Sequence, residues 1–394
     1  MHLQADSKPL ENKLRDFLHP RPEDCADSLL GDFLSPMTYS SVAAIVMLGV
    51  SSVLTLAQTH HAGELSLEPY SFRTYDGHAH PAELGHLWVQ EDRSAASKGL
   101  IQVGFVRLRS TAQKPRSPIV FLPGGPGIPG SVLGAVPVYY ELLEKLRALS
   151  DVILFDQRGI GASSPNTTCP EGAAPPADVF ATESNFRKAL VARATECAAY
   201  WRAKGLNLES FSTAASVEDL EDLRRAIGAD KLSLLAHSYG TALALEFVRR
   251  HEEHVDRGVL AGVEGPDESL QLPSVVDFAL RRLSDLAASS PSHDSFPDTY
   301  QEFQRVTSDL DRDPIKVRIR SAKNNQDMDL SVGSVLVRFV VRGMLGNGRR
   351  AGQAPALVYS LTRRDPSLVK DAAQDLYNSL TTGLHGDAVC GSVF

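Results

Sequence analysis

The chain has 394 residues, which is enough to bury the core of one large domain with an insertion, or of two domains. Hydrophobic residues make up 43% of the sequence and charged residues 22%, as in an ordinary soluble globular protein. The formal net charge of -8, without a Lys/Arg cluster or zinc-spaced Cys and His, argues against a nucleic-acid-binding protein. The cysteines are too few for a disulfide scaffold: Cys25, Cys169, Cys197 and Cys390.

The first 62 residues differ in character from the rest of the chain. Residues 1–36 are polar and without periodicity, which predicts a disordered or doubtful extension. An apolar run from about Val42 to Ala57 then has the length of a signal-peptide core, although no Lys or Arg directly precedes it. Residues 37–62 are therefore predicted to be a signal peptide, with an uncleaved signal anchor and a buried helix as alternatives. The expected location is secreted or periplasmic.

The first segments after this region have the patterns of strands. Mixed short runs between Leu67 and Asp92, and the alternation over Leu100–Leu108, predict strands that lead into a sheet. The compact apolar run Ile119–Leu122 predicts a buried strand that runs directly into PGGPG at 123–127. No helix can begin through that sequence, so it is predicted to be a loop with exposed backbone.

A second buried strand, predicted over Asp151–Phe155, ends in a turn punctuated by glycines, DQRGIGAS, which begins at Asp156. Ser216 is the expected N-cap of the helix that precedes the next strand, with Asp219 completing a variant of the capping box. Helical spacing predicts three helices around these features: Val138–Leu149, Glu183–Ala203 and Val217–Ile227.

The stretch Lys231–Arg250, KLSLLAHSYGTALALEFVRR, combines a strand, a tight turn and a helix. The apolar run Leu232–Leu235 predicts a buried strand, and good helix formers follow from Thr241. Between them, AHSYG is a G-x-S-x-G pattern with Ala in the first small position, which would present Ser238 at the top of a sheet. The pattern predicts a nucleophile elbow, and a serine in an ordinary strand–helix turn is the alternative.

One more strand is predicted over Val255–Val263, and the alternation of strands and helices predicts a mostly parallel sheet with helices on both faces. This core would span residues 63–268. Helical segments dominate from there on, with Ile315–Ile319 as the only strand-like run. Residues 269–382 are therefore predicted to form a helical lid inserted after a sheet strand.

Two parts of an acyl-transfer site are visible in these patterns. Such a site needs a nucleophile, a base, a group that orients the base, and donors for the oxyanion. Ser238 is the predicted nucleophile, and the backbone N–H of Tyr239 is one predicted oxyanion donor. The second donor is expected from the glycine-rich loop, at Gly125, with Gly124 as the near alternative. A plain tight turn is the alternative interpretation of that loop.

Three motifs in this order resemble the proline iminopeptidase and tripeptidyl aminopeptidase branch of the α/β-hydrolases: LPGGPGIPGS, DVILFDQRGIGASSP and LSLLAHSYGT. The resemblance runs from about Leu84 to Cys390. It implies the α/β-hydrolase fold and release of residues from peptide N-termini through an acyl-enzyme on Ser238, with Gly125 and Tyr239 as the oxyanion hole and no metal or cofactor. An esterase acting on small acyl esters and a non-catalytic binding protein that keeps the fold are the alternatives.

The same resemblance implies roles for further residues. It pairs Cys169 with Cys197 in a disulfide, as is typical of an exported protein. Asp156 and Arg158 are expected to brace loops by a charge pair. Glu264 is a candidate for holding the substrate ammonium, with a solvated loop glutamate as the alternative. The expected partner is a peptide or small acyl substrate, with no nucleic acid, and with no membrane unless the signal segment is kept as an anchor.

The order Ser, Asp, His of the family is not completed in the sequence, because only His385, with Asp387, follows the predicted lid. Residues 383–394 predict only the start of a return to the core sheet. His237 diverges from its neighbour Ser238, and two further histidines lie at the far end of the elbow helix. We therefore expect a chain truncated at its C-terminus, with the last strands and the triad Asp and His missing, and with little hydrolytic activity.

Overall fold

A computed structural model of the protein describes five stretches of the chain: 60–94, 99–265, 273–291, 293–348 and 350–381. The predicted extension, nearly all of the predicted signal segment and the predicted return to the core lie outside the described residues. Within the stretches that are described, no helix combines the length and the apolar character that crossing a membrane requires.

Seven strands form one sheet in the order β1-β2-β3-β5-β4-β6-β7. The strands are β1 (Leu65–Arg73), β2 (Ala79–Gln90), β3 (Leu100–Leu108), β4 (Ile119–Leu122), β5 (Val152–Phe155), β6 (Leu232–His237) and β7 (Val255–Ala261). Strands β5, β4, β6 and β7 are parallel to one another. The first three pair antiparallel with their neighbours. The predicted α/β architecture is confirmed, and the parallel half of the sheet is the half that carries the elbow.

Helices cover both faces of this sheet because alternate strand residues point to opposite sides. In β4, Val120 and Leu122 belong to one hydrophobic cluster and Phe121 to the other. The helices of this part are α1 (Gly130–Gly134), α2 (Pro137–Leu146), α3 (Glu183–Ala203), α4 (Thr213–Ala226) and α5 (Tyr239–His251). Helices α4 and α5 pack in the first cluster, and α1 and α2 in the second.

Helix α4 begins earlier than the sequence analysis predicts. Its N-cap is Ser212, whose Oγ accepts a hydrogen bond from the N–H of Ala215 at 3.2 Å. The predicted cap, Ser216, lies inside the helix and donates its own N–H to the Ser212 carbonyl. The prediction was wrong because both serines precede a helical pattern, and the alanines between them favour helix over loop.

Residues after β7 form a helical body around a small antiparallel hairpin. Its helices are α6 (Pro273–Ala288), α7 (Thr299–Arg312), α8 (Ser334–Leu345), α9 (Ala354–Thr362) and α10 (Lys370–Thr381), and its strands are β8 (Ile315–Arg320) and β9 (Asp327–Val332). The expectation of a single strand-like run is wrong, since β9 pairs with β8 along its whole length. Met328, Leu330 and Val332 alternate with Asp and Ser residues along β9, so the sequence does carry the pattern of a half-buried strand there.

The helical body is joined to the segment that follows the DQRG turn. Ser331 donates its N–H to the Ala177 carbonyl at 2.8 Å, and Gly333 donates to the Phe180 carbonyl at 2.8 Å. Phe180 is fully buried in the hydrophobic cluster of the helical body. The other end of the segment is held by a disulfide between Cys169 and Cys197 of α3, the pair that the resemblance implies, with an S–S distance of 2.00 Å.

Candidate active site

Ser238 lies between β6 and α5 in a backbone conformation that few residues other than glycine adopt, with φ 55° and ψ -131°. Such a conformation costs about 1–3 kcal/mol and persists only where the surroundings enforce it. Here the N–H of Ser238 donates to the Ala261 carbonyl of β7 at 2.9 Å. The N–H and the hydroxyl of Thr241 both donate to the Ser238 carbonyl at 2.7 Å. The strand, strained turn and helix predicted around Ser238 are therefore present.

The second residue after Ser238 is Gly240, and close packing there leaves no room for a side chain. A Cβ on Gly240 would lie 2.0 Å from the carbonyl oxygen of Leu122 and 2.6 Å from that of Pro123. Both contacts are with backbone atoms of β4 and the loop after it, which cannot move aside as a side chain could. The last glycine of the G-x-S-x-G pattern thus allows α5 to start directly against the neighbouring strand.

The Gly240→Ala substitution is expected to lower the free energy of unfolding by about 1–3 kcal/mol, because the new methyl group overlaps backbone atoms. Gly343 of α8 is a matched control, since nothing lies within 4 Å of a Cβ placed there. Gly343→Ala is expected to raise the stability by about 0.5–1 kcal/mol through helix propensity. Urea denaturation of both variants checks the prediction. Equal stability of the Gly240→Ala variant and the unsubstituted protein would contradict it.

The glycine-rich loop after β4 lies directly against the nucleophile. A Cβ on Gly124 would lie 2.7 Å from Cβ and 3.0 Å from Oγ of Ser238. Gly125 has φ 125°, and a Cβ there would lie 2.6 Å from the amide nitrogen of Gly127. The loop can therefore approach Ser238 this closely only because both residues are glycine. The N–H groups of Gly125 and Tyr239 stay the predicted oxyanion donors.

Tyr239 is the first residue of α5, so its N–H is among the amides that an α-helix leaves without an internal partner. Its side chain points into the protein, where the hydroxyl shares a hydrogen bond of 2.6 Å with Thr213 Oγ1. Burial raises the pKa of Tyr239, and the negative charge of Glu264 adds to the effect. The phenol is thus held neutral beside the elbow.

Glu264 is bonded to the predicted nucleophile. Ser238 Oγ donates a hydrogen bond to Glu264 Oε1 at 2.9 Å. The backbone N–H of Glu264 donates to Thr241 Oγ1 at 2.8 Å, and the same hydroxyl donates to the Ser238 carbonyl. Glu264 is half-buried. Glu264 is therefore tied to the elbow through both its side chain and its backbone, and its role in holding the substrate ammonium stays a prediction.

Asp156 does not pair with Arg158, contrary to the expectation that the two brace loops as a charge pair. Its carboxylate is fully buried and accepts hydrogen bonds from Ser131 N and Oγ, at 2.8 and 2.7 Å, and from Ala162 N at 2.8 Å. Burial raises the pKa of Asp156 to about 6, against these hydrogen bonds, which lower it. Asp156 thereby joins the start of α1, just after the glycine-rich loop, to the DQRG turn.

Arg158 forms its charge pair with Asp219 of α4 instead. Its Nε and Nη2 donate to the two oxygens of Asp219 at 2.7 and 2.6 Å, and both side chains are buried. Arg93 also donates to Asp219, at 2.5 Å. Asp219 therefore does not complete a helix cap as predicted. It links α4 to the turn after β5. This role depends on the tertiary structure, because α4 and that turn are distant in the sequence.

Within the described residues, no histidine is bonded to Ser238. The ring of His237 turns away and meets the ring of Tyr139 edge-on at a centroid distance of 6.4 Å. His251 and His254, at the far end of α5, lie 3.3 and 3.1 Å from glutamate oxygens of α4. His385, the remaining candidate base, lies outside the described residues.

One cluster has the residue types of a metal site. Glu221, His251 and His254 place their donor atoms within 4.8 Å of one another. Both oxygens of Glu221 already accept hydrogen bonds from Arg224, and Arg225 Nε lies 2.8 Å from one of them. Two guanidinium groups on one carboxylate oppose the binding of a cation there.

The central part of the chain is similar to proteins that are already known. Residues 117–305 match the family model described as alpha/beta hydrolase fold. A segment is 28% identical over 195 residues to the serine protease Hip1 of Mycobacterium tuberculosis, covering 46% of this chain and 36% of that protein. Another alignment, with the tripeptidyl aminopeptidase of Streptomyces lividans, is 27% identical over 198 residues and covers 47% of this chain and 36% of that protein. The chain thus matches little more than a third of the length of these relatives.

Among solved structures, a proline iminopeptidase of Mycobacterium smegmatis aligns at 18% identity over 57% of this chain and 54% of that one, with a TM-score of 0.30. That superposition is too poor to support an argument. The conclusion rests on the order of the sheet, the strained serine between β6 and α5, and the family match over residues 117–305. On these grounds the protein has the α/β-hydrolase fold.

Proposed function

We propose that the protein is a serine hydrolase of the aminopeptidase type, which releases residues from peptide N-termini through an acyl-enzyme on Ser238. The observation that carries the proposal is the position of Ser238 on a strained turn, with Oγ between the glycine-rich loop and Glu264. Strained non-glycine residues of this kind cluster at active sites. The names of the relatives, a serine protease and a tripeptidyl aminopeptidase, support peptides as the substrate class.

In the proposed reaction, Ser238 Oγ attacks the carbonyl carbon of the substrate, and negative charge develops on the carbonyl oxygen. The backbone N–H groups of Tyr239 and Gly125 stabilise this charge, and one such donor contributes about 3–4 kcal/mol. The positive end of the α5 dipole lies at the same place and acts in the same direction. Collapse of the tetrahedral intermediate breaks the carbon–nitrogen bond and releases the amine, which carries away the proton that Ser238 Oγ has lost. Water then attacks the acyl-enzyme, releases the acyl product as an acid and returns a proton to Ser238 Oγ.

We also propose that the helical body after β7 serves as a lid over the site and that the protein is exported. The lid proposal is supported by the chain order, because the body follows the loop that carries Glu264. Export is supported by the disulfide between Cys169 and Cys197, since disulfides persist in oxidising compartments.

A panel of chromogenic substrates tests the peptidase assignment. We expect slow hydrolysis of alanine or proline p-nitroanilide with a free α-amine, in keeping with the low activity predicted from the sequence. The rate should be about tenfold or more lower for the N-acetylated compounds, because an aminopeptidase site recognises the ammonium. Hydrolysis of p-nitrophenyl esters without any anilide hydrolysis would assign an esterase instead. A protein whose Ser238 does not react with a fluorophosphonate would not be a serine hydrolase.

A further inference from the structure

We propose that the site releases a single residue at a time, because Glu264 binds the α-ammonium of the same residue whose carbonyl group Ser238 attacks. This inference rests on the proposed aminopeptidase function and gives it a substrate length. An aminopeptidase can release one residue or a longer piece, and the distance between its nucleophile and its ammonium site decides which. Both groups are present here, and their separation is short.

The charge environment of Glu264 suits a cationic ligand. In the part of the chain that the structure describes, its half-buried carboxylate forms no ion pair, and its partner is the neutral hydroxyl of Ser238. Glu83, which is half-buried in the same way, is paired with Arg107 and Arg109. A charge that is partly removed from water is stabilised by a partner of opposite sign. A bound ammonium group would supply that charge at Glu264.

The backbone fixes the position of this carboxylate relative to the nucleophile. Thr241, which is fully buried, donates its hydroxyl to the Ser238 carbonyl and accepts the N–H of Glu264 at 2.8 Å. The N–H of Ser238 is bonded to Ala261 at the end of β7. Since β6 and β7 are adjacent and parallel, their carboxyl ends meet at one edge of the sheet. The separation of the two side chains is therefore built into the sheet.

A single residue spans the two groups with every contact at its normal length. Ser238 Oγ and Glu264 Oε1 are 2.9 Å apart. A carbonyl carbon under attack lies about 3–3.5 Å from the nucleophile, and an ammonium lies about 2.7–2.9 Å from the carboxylate oxygen that binds it. Within one amino acid the nitrogen and the carbonyl carbon are about 2.5 Å apart. These separations are similar, so the four atoms close a compact ring.

A substrate that is cut after its third residue does not fit the same two contacts. Each further residue of an extended chain adds about 3.3–3.6 Å, so the ammonium then lies about 9 Å from the carbonyl carbon. It would reach Oε1 only if the carbon, both oxygens and the nitrogen lay on one straight line, or if Glu264 moved away. The hydrogen bond from the Glu264 backbone to Thr241 opposes that movement. The geometry thus favours release of the first residue alone.

The test uses the full chain and boronic acids, whose boron adds to Ser238 Oγ in place of the carbonyl carbon, with release of one proton to solvent. The compounds are 1-aminoethylboronic acid, the same boron analogue extended by two alanines, and the N-acetylated form of each. The measurement is the concentration that halves the rate at which an uncharged fluorophosphonate labels Ser238. In the one-residue pair, the free amine should protect at a concentration about tenfold or more lower than its acetylated form. The three-residue pair should protect at similar concentrations.

Glu264→Gln is expected to abolish the preference for the free amine in the one-residue pair, because it removes the charge that binds the ammonium. Glu253→Gln, which removes a carboxylate that is 69% exposed, is the charge-matched control and should keep the preference. If Glu264→Gln does not fold, the comparison of the two pairs in the unsubstituted protein still decides the length.

A preference for the free amine that appears in the three-residue pair and is lost in Glu264→Gln would overturn the proposal in favour of release of three residues. Absence of any preference that depends on Glu264 would overturn the ammonium site. Either result leaves the proposed function intact as long as Ser238 is labelled. Absence of labelling in the unsubstituted protein would reject that function itself.

Discussion

Replacement of Ser238 by alanine is expected to abolish fluorophosphonate labelling and to lower kcat for anilide hydrolysis to the background rate. Without the nucleophile, the remaining oxyanion donors and binding contacts act on attack by water alone. The Ser238 side chain makes no capping hydrogen bond to α5, so the substitution leaves the backbone of the elbow intact. The expected loss is therefore one of chemistry and not of folding.

Steady-state kinetics and gel-based labelling check this prediction. Ser289→Ala is the control and should retain full activity, since Ser289 is an exposed serine just after α6 whose hydroxyl donates to two carbonyls of that helix. Turnover that survives in the Ser238→Ala protein would show that another residue is the nucleophile.

The Asp219→Asn substitution is expected to lower the free energy of unfolding by about 3–5 kcal/mol, the usual effect of removing one member of a buried ion pair. Asp219 has no exposed surface and neutralises Arg158, which is also buried. Arg158 would stay in place, because it also donates to the carbonyls of Glu91 and Ser210, and its charge would then be left without a partner. Arg93 would lose the same partner.

Urea denaturation at neutral pH measures this effect. Glu302→Gln is the matched control, since it breaks a solvent-exposed pair with Arg305 three residues away and should cost about 0.5 kcal/mol or less. A double variant, Arg158→Met with Asp219→Leu, is expected to be more stable than Asp219→Asn, because it leaves no uncompensated charge. A decrease in the free energy of unfolding of less than about 1 kcal/mol in Asp219→Asn would contradict the prediction. It would mean that water screens the charges of this network.

The network around Asp219 and the bonds of Asp156 have a common consequence for the site. Asp156 attaches the DQRG turn to the start of α1, and Arg158 attaches the same turn to α4. The glycine-rich loop lies between β4 and α1, so Asp156 anchors the start of the helix that follows this loop. Thus two buried carboxylates that are not bonded to Ser238 fix the DQRG turn, one to α1 and the other to α4.

The sequence alone was sufficient where the signals are local. Helix α3 spans Glu183–Ala203, as helical spacing predicts. The elbow at Ser238 and the close approach of Gly124 follow from small residues placed where a turn needs them. Local signals fail at positions such as Ser212 and Ser216, where two neighbouring residues fit the same role.

The partners of these local features were decided by the tertiary structure. Ser238 and Glu264 are 26 residues apart, and they meet because β6 and β7 are adjacent and parallel. Arg158 and Asp219 are 61 residues apart, and they meet because α4 packs beside the turn that follows β5. The sequence shows which residues can donate, accept or carry charge. Which of them bond to each other depends on strand order and helix packing, because those alone bring distant parts of the chain within hydrogen-bond distance.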